Sequence, residues 1–352
     1  MFKFKFTPLL KQGYYTASYF NKTTKIISKY KPNEIVCMQF IHFNNESVKV
    51  CGIEESIQLL KYCLGKDYSK IKVYGVKDGD LVKGKQPVLL IFGKYQLFAK
   101  YENVIDGILA RRSSVCNNCY KMLKLIKPSQ LLFMADRTDD YLVQPYDGYA
   151  AYVAGVRHFV TQASVEFIKS DKNVSVSGTM PHALIQEYDG NLIAAMKDYK
   201  KEYGMSKMIA LVDYHNDVCG EIIKLSKVFK DLYAIRIDTS AYMLDKALSK
   251  HKHDKSAYGV SPQLIEAARK TLDKYGMKKT KIIATSGINN EKILNFQKHH
   301  SPIDSYGVGS NLIARNVHFT ADLVLKNNKH ESKDGRKLFI NINRLSSLKK
   351  YN

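Results

Sequence analysis

The chain has 352 residues, a formal net charge of +22 and a hydrophobic content of 45%, a composition typical of a globular protein with one large domain and a smaller one. No apolar run approaches the roughly 18 residues of a membrane-spanning helix, and residues 1–6 alternate aromatic and basic side chains instead of forming a signal-peptide core. These features exclude a membrane span and predict a cytoplasmic protein.

The positive charge is spread along the chain, and only nine of the 55 basic residues are arginine. A basic surface attracts phosphate groups whatever the nucleotide sequence, so nucleic acid is one class of partner to consider. The even spread of lysine does not favour a dedicated nucleic-acid patch. It suits small anionic substrates such as phosphorylated sugars.

Residues 1–108 contain short β-like segments separated by turn signals. Strands are predicted over 34–40, 71–74 and 88–92. Apolar side chains recur at helical spacing between Ile53 and Leu64, which predicts a helix over that stretch. This part of the chain therefore reads as a small α/β sandwich domain.

From residue 109 to 312, short apolar runs alternate with amphipathic helical stretches such as 262–275. This alternation is typical of repeated βα units and predicts a parallel sheet or (β/α) barrel. We expect residues 313–352, a short lysine-rich extension, to pack on the N-terminal domain. The predicted strands of the barrel are 131–134, 173–177, 208–212, 233–237, 281–284 and 305–308.

Polar residues follow each of these predicted strands, and the carboxyl ends of barrel strands meet on one face. His182 lies just beyond the strand over 173–177. We expect Gly178 to allow a sharp turn and Pro181 to fix the backbone before His182, so that the imidazole is rigidly aimed. An isolated histidine there would be an ordinary loop residue, but the other strand ends supply it with neighbours.

Three of those neighbours carry charge. Arg137 is suited to bind a carboxylate or phosphate as a bidentate hydrogen-bond donor. The alternative is that it forms an ion pair with a nearby aspartate. Asp213 and Asp238 suit ribose hydroxyls or a Mg²⁺ ion, or they cap the following helices.

Small residues follow the last two predicted strands, at Ser286 and Gly287 and at Gly307, Gly309 and Ser310. Barrels often bind phosphate at this place through backbone N–H groups. An aimed histidine, an arginine, two carboxylates and a phosphate-binding turn together are the parts of a phosphoribosyl transfer.

Several stretches also resemble one family in the same order along the chain. Residues 178–185 resemble the G-T-x-x-H signature of nicotinate phosphoribosyltransferases, in particular the shorter archaeal-type branch. Residues 107–114 are similar to that family's G-I-L-A-R-R-T-S helix, 211–213 to its L-V-D strand, 236–239 to R-L-D-[ST], 285–289 to S-[GD]-x-[ND] and 306–310 to [FY]-G-[VI]-G-[ST].

The resemblance implies a type II phosphoribosyltransferase: an open-faced α/β sandwich, an incomplete (β/α) barrel, and a homodimer whose sites lie between subunits. It implies that nicotinate and phosphoribosyl pyrophosphate react to give nicotinate mononucleotide, with Mg²⁺ and with ATP as co-substrate. The roles that it implies are phosphate acceptor for His182, ribose contact for Asp238, nicotinate contacts for Arg137, Thr179 and Tyr19 (with Tyr14 and Tyr15 as alternatives to Tyr19), and phosphoribosyl contacts for Arg111, Asp213, Ser286, Gly287, Gly307, Gly309 and Ser310.

Three alternatives stay open at the level of sequence. Quinolinate phosphoribosyltransferase shares the fold but calls for more cationic side chains and no phosphohistidine, so His182 argues against it. A nicotinamide-specific enzyme needs a partner for the amide, whereas Arg137 suits an acid. A basic nucleic-acid-binding protein on an inactive barrel is the alternative from another class.

Overall fold

The computed structural model describes residues 2–340 and 347–351, and its first part alternates helices with short strands. Apolar spacing sets the first long helices, and the predicted helix over Ile53–Leu64 is present with those bounds. The elements up to the barrel are α1 (Ser18–Tyr30), β1 (Ile35–His42), β2 (Val48–Lys49), α2 (Ile53–Leu64), β3 (Lys72–Gly75), β4 (Leu81–Val82), β5 (Leu89–Lys94), α3 (Tyr95–Phe98) and α4 (Glu102–Leu123).

The barrel region follows, and strands again alternate with helices. Its elements are β6 (Leu131–Phe133), α5 (Gln144–Ala154), β7 (His158–Phe159), β8 (Ser175–Val176), α6 (His182–Glu187), α7 (Leu192–Tyr203), β9 (Ile209–Leu211), α8 (Val218–Ser226), β10 (Ala234–Ile237), α9 (Pro262–Lys274), β11 (Lys281–Ala284), α10 (Asn290–Lys298), β12 (Ser305–Val308) and α11 (Ser310–Ile313). The remaining strands are β13 (Phe319–Lys326), β14 (Lys329–His330) and β15 (Lys349–Tyr351).

An antiparallel sheet forms the N-terminal part, in the order β14-β13-β1-β5-β3-β15. Its central strand β1 is buried at every position after Ile35. Alternate side chains of β1 enter different clusters: Met38 and Phe40 pack with α2, and Cys37 packs with Val324 of β13.

Residues from the 313–352 extension pair with this sheet, because β13 lies antiparallel beside β1 over most of its length. The helix α4 runs across the predicted boundary at 108/109. Its Ile105 and Leu109 pack in the sandwich core, whereas Val115 and Cys119 pack in the barrel core. The domain boundaries themselves stay predictions from the sequence.

The second sheet has seven parallel strands in the order β8-β7-β6-β12-β11-β10-β9, curled into an incomplete barrel with β8 and β9 at its edges. The predicted fold class is confirmed. No helix among residues 2–340 and 347–351 has the length and apolar character needed to cross a bilayer.

One predicted strand is shorter than expected, and one predicted turn is absent. The strand over 173–177 is reduced to Ser175–Val176, because the Asp171 carboxylate accepts from the backbone N–H and the side chain of Asn173 and holds the chain in a turn. Gly178 has no positive φ, and no atom lies within 4 Å of the position its Cβ would take. The expectation that Gly178 supplies a sharp turn was wrong.

Candidate active site

A pocket of about 400 Å³ lies at the carboxyl ends of the barrel strands. It gathers side chains and turns that are up to 176 positions apart in the sequence, as the convergence of parallel strand ends predicts. The predicted site residues that line it are Arg137, Thr179, His182, Asp238, Ser286, Gly287, Gly307, Gly309 and Ser310.

His182 is the first residue of α6, and Pro181 precedes it as the N-cap. Its Nε2 lies 3.2 Å from both carboxylate oxygens of Asp213. The His182 side chain is 43% exposed, whereas that of Asp213 is only 6% exposed. Burial raises the pKa of Asp213, the nearby His182 opposes that rise, and Asp238 adds to it. A buried carboxylate therefore orients a half-exposed imidazole at the pocket wall.

Arg236 joins three strand ends beneath the pocket. Its Nη1 donates to Thr179 Oγ1 at 3.0 Å, its Nη2 to Asp238 Oδ2 at 2.8 Å and its Nε to Thr285 Oγ1 at 3.1 Å. Thr285 Oγ1 lies 2.5 Å from the other oxygen of Asp238. Both oxygens of Asp238 are thus fixed, and the carboxylate has one defined orientation.

The turn after β11 is held in an uncommon backbone conformation. Ser286 and Gly287 have φ values of +68° and +64°. Lys292 Nζ donates to the Ser286 carbonyl at 3.1 Å, and Asn289 caps the helix α10 that carries Lys292. Burial lowers the pKa of Lys292. A cationic side chain therefore stands directly behind the predicted phosphate-binding turn.

Close packing explains the glycines after β12. A Cβ on Gly307 would lie 2.4 Å from Met134 Sδ and 2.6 Å from Thr285 Cγ2. A Cβ on Gly309 would lie 2.7 Å from the Met134 carbonyl oxygen. The two glycines let the chain pass close to β6, which leaves backbone groups facing the pocket.

Arg137 has an exposed side chain, and no hydrogen bond or ion pair joins it to any residue in the described ranges. The sequence left two alternatives for Arg137, a bidentate donor to an anion or the partner of a nearby aspartate. The structure places an unpaired guanidinium at the edge of the pocket, where it is available to an anion.

Arg111 and Tyr19 are not brought into the pocket. Arg111 donates a bidentate pair of hydrogen bonds to the Asp147 carboxylate, at 3.0 and 2.5 Å, and forms an ion pair with Asp139 at 2.7 Å. Tyr19 lies on α1 with 60% of its surface exposed. Within a single chain, neither side chain lines the pocket that contains His182.

Sequence reasoning did not assign site roles to Arg236, Thr285 or Lys292. Arg236 and Thr285 are inward-facing positions of β10 and of the end of β11, so alternation along those strands could have identified them. No sequence pattern identifies Lys292 in the same way, because its hydrogen bond to the Ser286 carbonyl depends on the direction of α10.

Asp238, which lines the pocket, and Asp213, which does not, form no ready-made metal site. No group of three or more possible metal ligands occurs among residues 2–340 and 347–351. Asp238 is paired with Arg236, and Asp213 faces His182. These two carboxylates suit a Mg²⁺ ion that keeps most of its water ligands and is bound together with substrate phosphates. They do not suit an ion that is coordinated by protein side chains alone.

Comparisons with known proteins show what the chain and its fold are similar to. Residues 18–113 match the family model for the quinolinate phosphoribosyl transferase N-terminal domain. Nicotinate phosphoribosyltransferase of Bacillus subtilis is 25% identical over 241 residues, which are 68% of this chain and 45% of that protein. The chain is therefore similar to nicotinate phosphoribosyltransferases over about two thirds of its length.

Solved structures of related enzymes extend the likeness over nearly the whole chain. Nicotinate-nucleotide pyrophosphorylase from Pyrococcus furiosus has a TM-score of 0.79 and 25% identity, and the match covers 95% of this chain and 80% of that one. Human nicotinic acid phosphoribosyltransferase has a TM-score of 0.63 at 12% identity, covering 90% and 75%, and supports the fold. The chain spans less than half the length of the Bacillus subtilis protein that it matches.

Proposed function

We propose that the protein is a nicotinate phosphoribosyltransferase, which joins nicotinate to phosphoribosyl pyrophosphate and releases pyrophosphate in NAD salvage. The observation that carries this proposal is the single pocket that His182, Asp238 and the two glycine-containing turns line together. The curated relative from Bacillus subtilis has the same named activity.

The chemistry of this transfer suits the residues present. The pyridine nitrogen attacks C1 of the ribose with its own lone pair, the bond from C1 to the pyrophosphate oxygen breaks, and no general base is required. The barrier is the positive charge that grows on the ribose. A carboxylate with fixed orientation, such as Asp238, stabilises that charge without reorganisation during the reaction.

Recognition of the acid substrate falls to Arg137 in this proposal. Its exposed and unpaired guanidinium matches a carboxylate through two parallel hydrogen bonds. Thr179 faces the same pocket with its hydroxyl group already held by Arg236. A neutral amide would gain less from Arg137, which favours nicotinate over nicotinamide.

Mg²⁺ is the proposed cofactor, with Asp213 or Asp238 as its carboxylate ligand, and it would neutralise charge on the departing pyrophosphate. Ser286, Gly287, Gly307, Gly309 and Ser310 offer backbone and hydroxyl groups to the phosphates. Lys292 adds positive charge behind the Ser286 turn.

ATP is the proposed co-substrate, and His182 is its phosphate acceptor. A proton on Nε2 that is donated to Asp213 leaves the Nδ1 lone pair free to attack the γ-phosphorus, with ADP as the leaving group. The phosphoryl group brings about −1.5 to −2 charges to the start of α6, enough to reorder nearby loops through new hydrogen bonds.

One assay tests the main proposal. Purified protein is incubated with phosphoribosyl pyrophosphate and, separately, nicotinate, quinolinate or nicotinamide, with and without ATP. We expect pyrophosphate release with nicotinate, stimulated by ATP. Turnover with quinolinate alone, or no turnover combined with salt-sensitive RNA binding, would replace the proposal by one of its alternatives.

A second assay tests the role of His182 separately. Protein exposed to ATP labelled at the γ-phosphate should acquire acid-labile label that is absent from a His182→Ala variant. Label that persists in this variant would assign the phosphate to another residue. His215→Ala is a control, because His215 contacts the Gly190 carbonyl at the same barrel face and does not line the pocket.

A further inference from the structure

The interior of the barrel sheet contains a second space, here called the inner cavity, of about 610 Å³. It lies on the amino-terminal side of Arg236, whereas the pocket with His182 lies on the carboxyl side. Inward-pointing side chains normally fill a (β/α) barrel and leave no such space. The inner cavity therefore needs a physical explanation.

Small residues at inward positions create this space. Ser175 of β8, Ala234 of β10 and Ser305 of β12 stand where larger side chains would meet across the sheet. Leu132 and Ile209 consequently face the cavity and remain only partly buried. An apolar wall beside an unfilled space costs stability, which a bound apolar group would recover.

The mouth of the inner cavity has a different character, because aromatic and cationic side chains surround it. Tyr199 and Tyr203 of α7 stand with ring centroids 4.9 Å apart. Lys281 donates to the hydroxyl group of Tyr233 at 3.2 Å, and its ammonium lies 4.6 Å from the centre of that ring. Lys207 lies at the same opening.

This combination selects a class of ligand. An apolar interior takes an aromatic ring, and tyrosine faces at the entrance add stacking contacts. Two lysines at the rim attract a carboxylate, sulfonate or phosphate group on that ring. One carboxylate, Asp304, lines the cavity, but it already accepts from the backbone N–H of Ile282.

The inner cavity and the catalytic pocket share one wall. Thr179, Arg236 and Thr285 line both spaces. Arg236 also fixes Asp238 through its Nη2. A ligand that presses on Arg236 from below must therefore disturb the carboxylate above it.

We propose that the inner cavity is a second small-molecule site, which binds an aromatic ring carrying an anionic group and is coupled to the catalytic pocket through Arg236. The binding part of this proposal does not depend on the reaction catalysed.

The fluorescent aromatic anion 8-anilinonaphthalene-1-sulfonate is a direct probe. We expect saturable binding to one site per chain, with a Kd at least about tenfold weaker in a Lys207→Met, Lys281→Met double variant. Lys278→Met with Lys279→Met is the matched control, since it removes the same charge from exposed lysines that do not line the cavity. Unchanged affinity in the first double variant would overturn the proposal.

Competition locates the probe independently of folding. Phosphoribosyl pyrophosphate should leave the stoichiometry of probe binding unchanged, whereas full displacement would place the probe in the catalytic pocket and contradict the proposal. An Ala234→Leu variant, which narrows the inner cavity, should weaken the probe while near-ultraviolet circular dichroism stays native. If turnover is found, the probe should reduce kcat without competing with phosphoribosyl pyrophosphate.

Discussion

Arg236 is the residue on which the geometry of the pocket most depends. Its three donating nitrogens contact three different residues, and two of those contacts hold the Asp238 carboxylate directly or through Thr285. A lysine ammonium is a point charge and cannot reproduce a planar fork that reaches three acceptors. For the geometry of the pocket, the planar shape of the Arg236 guanidinium is therefore more important than its positive charge.

An Arg236→Lys variant should lose about ten- to a hundredfold in kcat/KM for phosphoribosyl pyrophosphate, equivalent to about 1–3 kcal/mol of transition-state binding. Steady-state kinetics with nicotinate would measure it. Arg269→Lys is the matched control, because Arg269 also donates through three nitrogens but to Asp273, Thr280 and Met277, away from the pocket. Equal losses in both variants would indicate a general folding defect.

Two glycines near the barrel strand ends, Gly307 and Gly178, differ in their surroundings, which allows a paired test. Gly307→Ala places a methyl group against Met134 and Thr285, so we expect a loss of about 1–3 kcal/mol in stability and a fall in activity as Thr285 shifts from Asp238. Gly178→Ala meets no atom within 4 Å and should keep both. Urea denaturation and turnover assays measure the two effects. The reverse order of sensitivity would show that Gly178 has a role not visible in this conformation.

At the scale of elements, α4 is the helix that ties the two sheets together. Arg112 on this helix donates to both oxygens of Glu55 on α2, at 2.8 and 3.1 Å, and its guanidinium lies 4.6 Å from the ring centre of Tyr146 on α5. Both members of the ion pair are buried. The pair lies between the sandwich core and the barrel core.

Removing one partner of this pair should be costly. Glu55→Ala leaves the Arg112 charge buried without its partner, for which we expect a loss of about 3–5 kcal/mol in the free energy of unfolding. Chemical denaturation followed by circular dichroism would measure it. Glu46→Ala breaks the exposed pair of Glu46 with Lys121, further along the same helix, and should change stability little. A small effect of Glu55→Ala would mean that water or Asp147 compensates Arg112.

Elements with strong local signals were predictable from the sequence, and interactions between elements were not. The helix over Ile53–Leu64 and the alternation of strands and helices after residue 109 follow from apolar spacing. The edge strand β8 is shorter than predicted because the Asp171 carboxylate accepts a hydrogen bond from the backbone N–H of Asn173 and holds that residue in a turn. The ion pair between Arg111 and Asp147 could not be predicted from the sequence, because it depends on how α4 and α5 pack.

The same division holds within the candidate site. Position at a strand end predicted that His182, Asp238 and the glycine turns share one pocket. The pairing of His182 with Asp213, and the three contacts of Arg236, require the curvature of the sheet, which no local pattern encodes. Lys292 contacts the Ser286 carbonyl behind the pocket from a helix whose direction is set by tertiary packing.

At the scale of the whole molecule, stability should depend on pH through carboxyl groups on α4. Burial raises the pKa of Asp106 to about 7, with repulsion from Asp322 adding to it. Burial likewise raises the pKa of Glu102 to about 7, against a hydrogen bond from Tyr95. Asp322 is itself paired with Arg336. Protonation of these groups is easier in the folded chain, so the stability they contribute below pH of about 4 is lost as pH rises through about 7.

An Asp106→Asn variant tests this dependence. Its stability relative to the parent protein should increase by about 1–2 kcal/mol between pH 5 and pH 8, because the parent loses stability as Asp106 ionises over this range. This value is reduced from the full effect of the pKa shift because the group is partly solvated. Urea denaturation at both pH values is the measurement. A constant difference across this range would assign the effect to packing instead of charge.

Shared sites between two copies of the chain are a further prediction, since Tyr19 is exposed and does not line the pocket that contains His182 within one chain. Tyr19→Ala and His182→Ala variants should each be nearly inactive. Unfolding the two together and refolding them as a mixture should restore about a quarter of the parent activity, because half of randomly paired dimers are mixed and each has one intact site. A mixture no more active than its parts would show that each chain completes its own site.

The pairing of β1 with β13 joins residues that are 277 to 290 positions apart in the sequence. During synthesis, β1 cannot pair with β13 until residues 319–326 have left the ribosome. The barrel segments between the two strands are synthesised before that. Until then one side of β1 exposes unpaired backbone groups, which other chains can capture. Synthesis of this protein should therefore be unusually sensitive to translation rate and to chaperones that shield open strand edges.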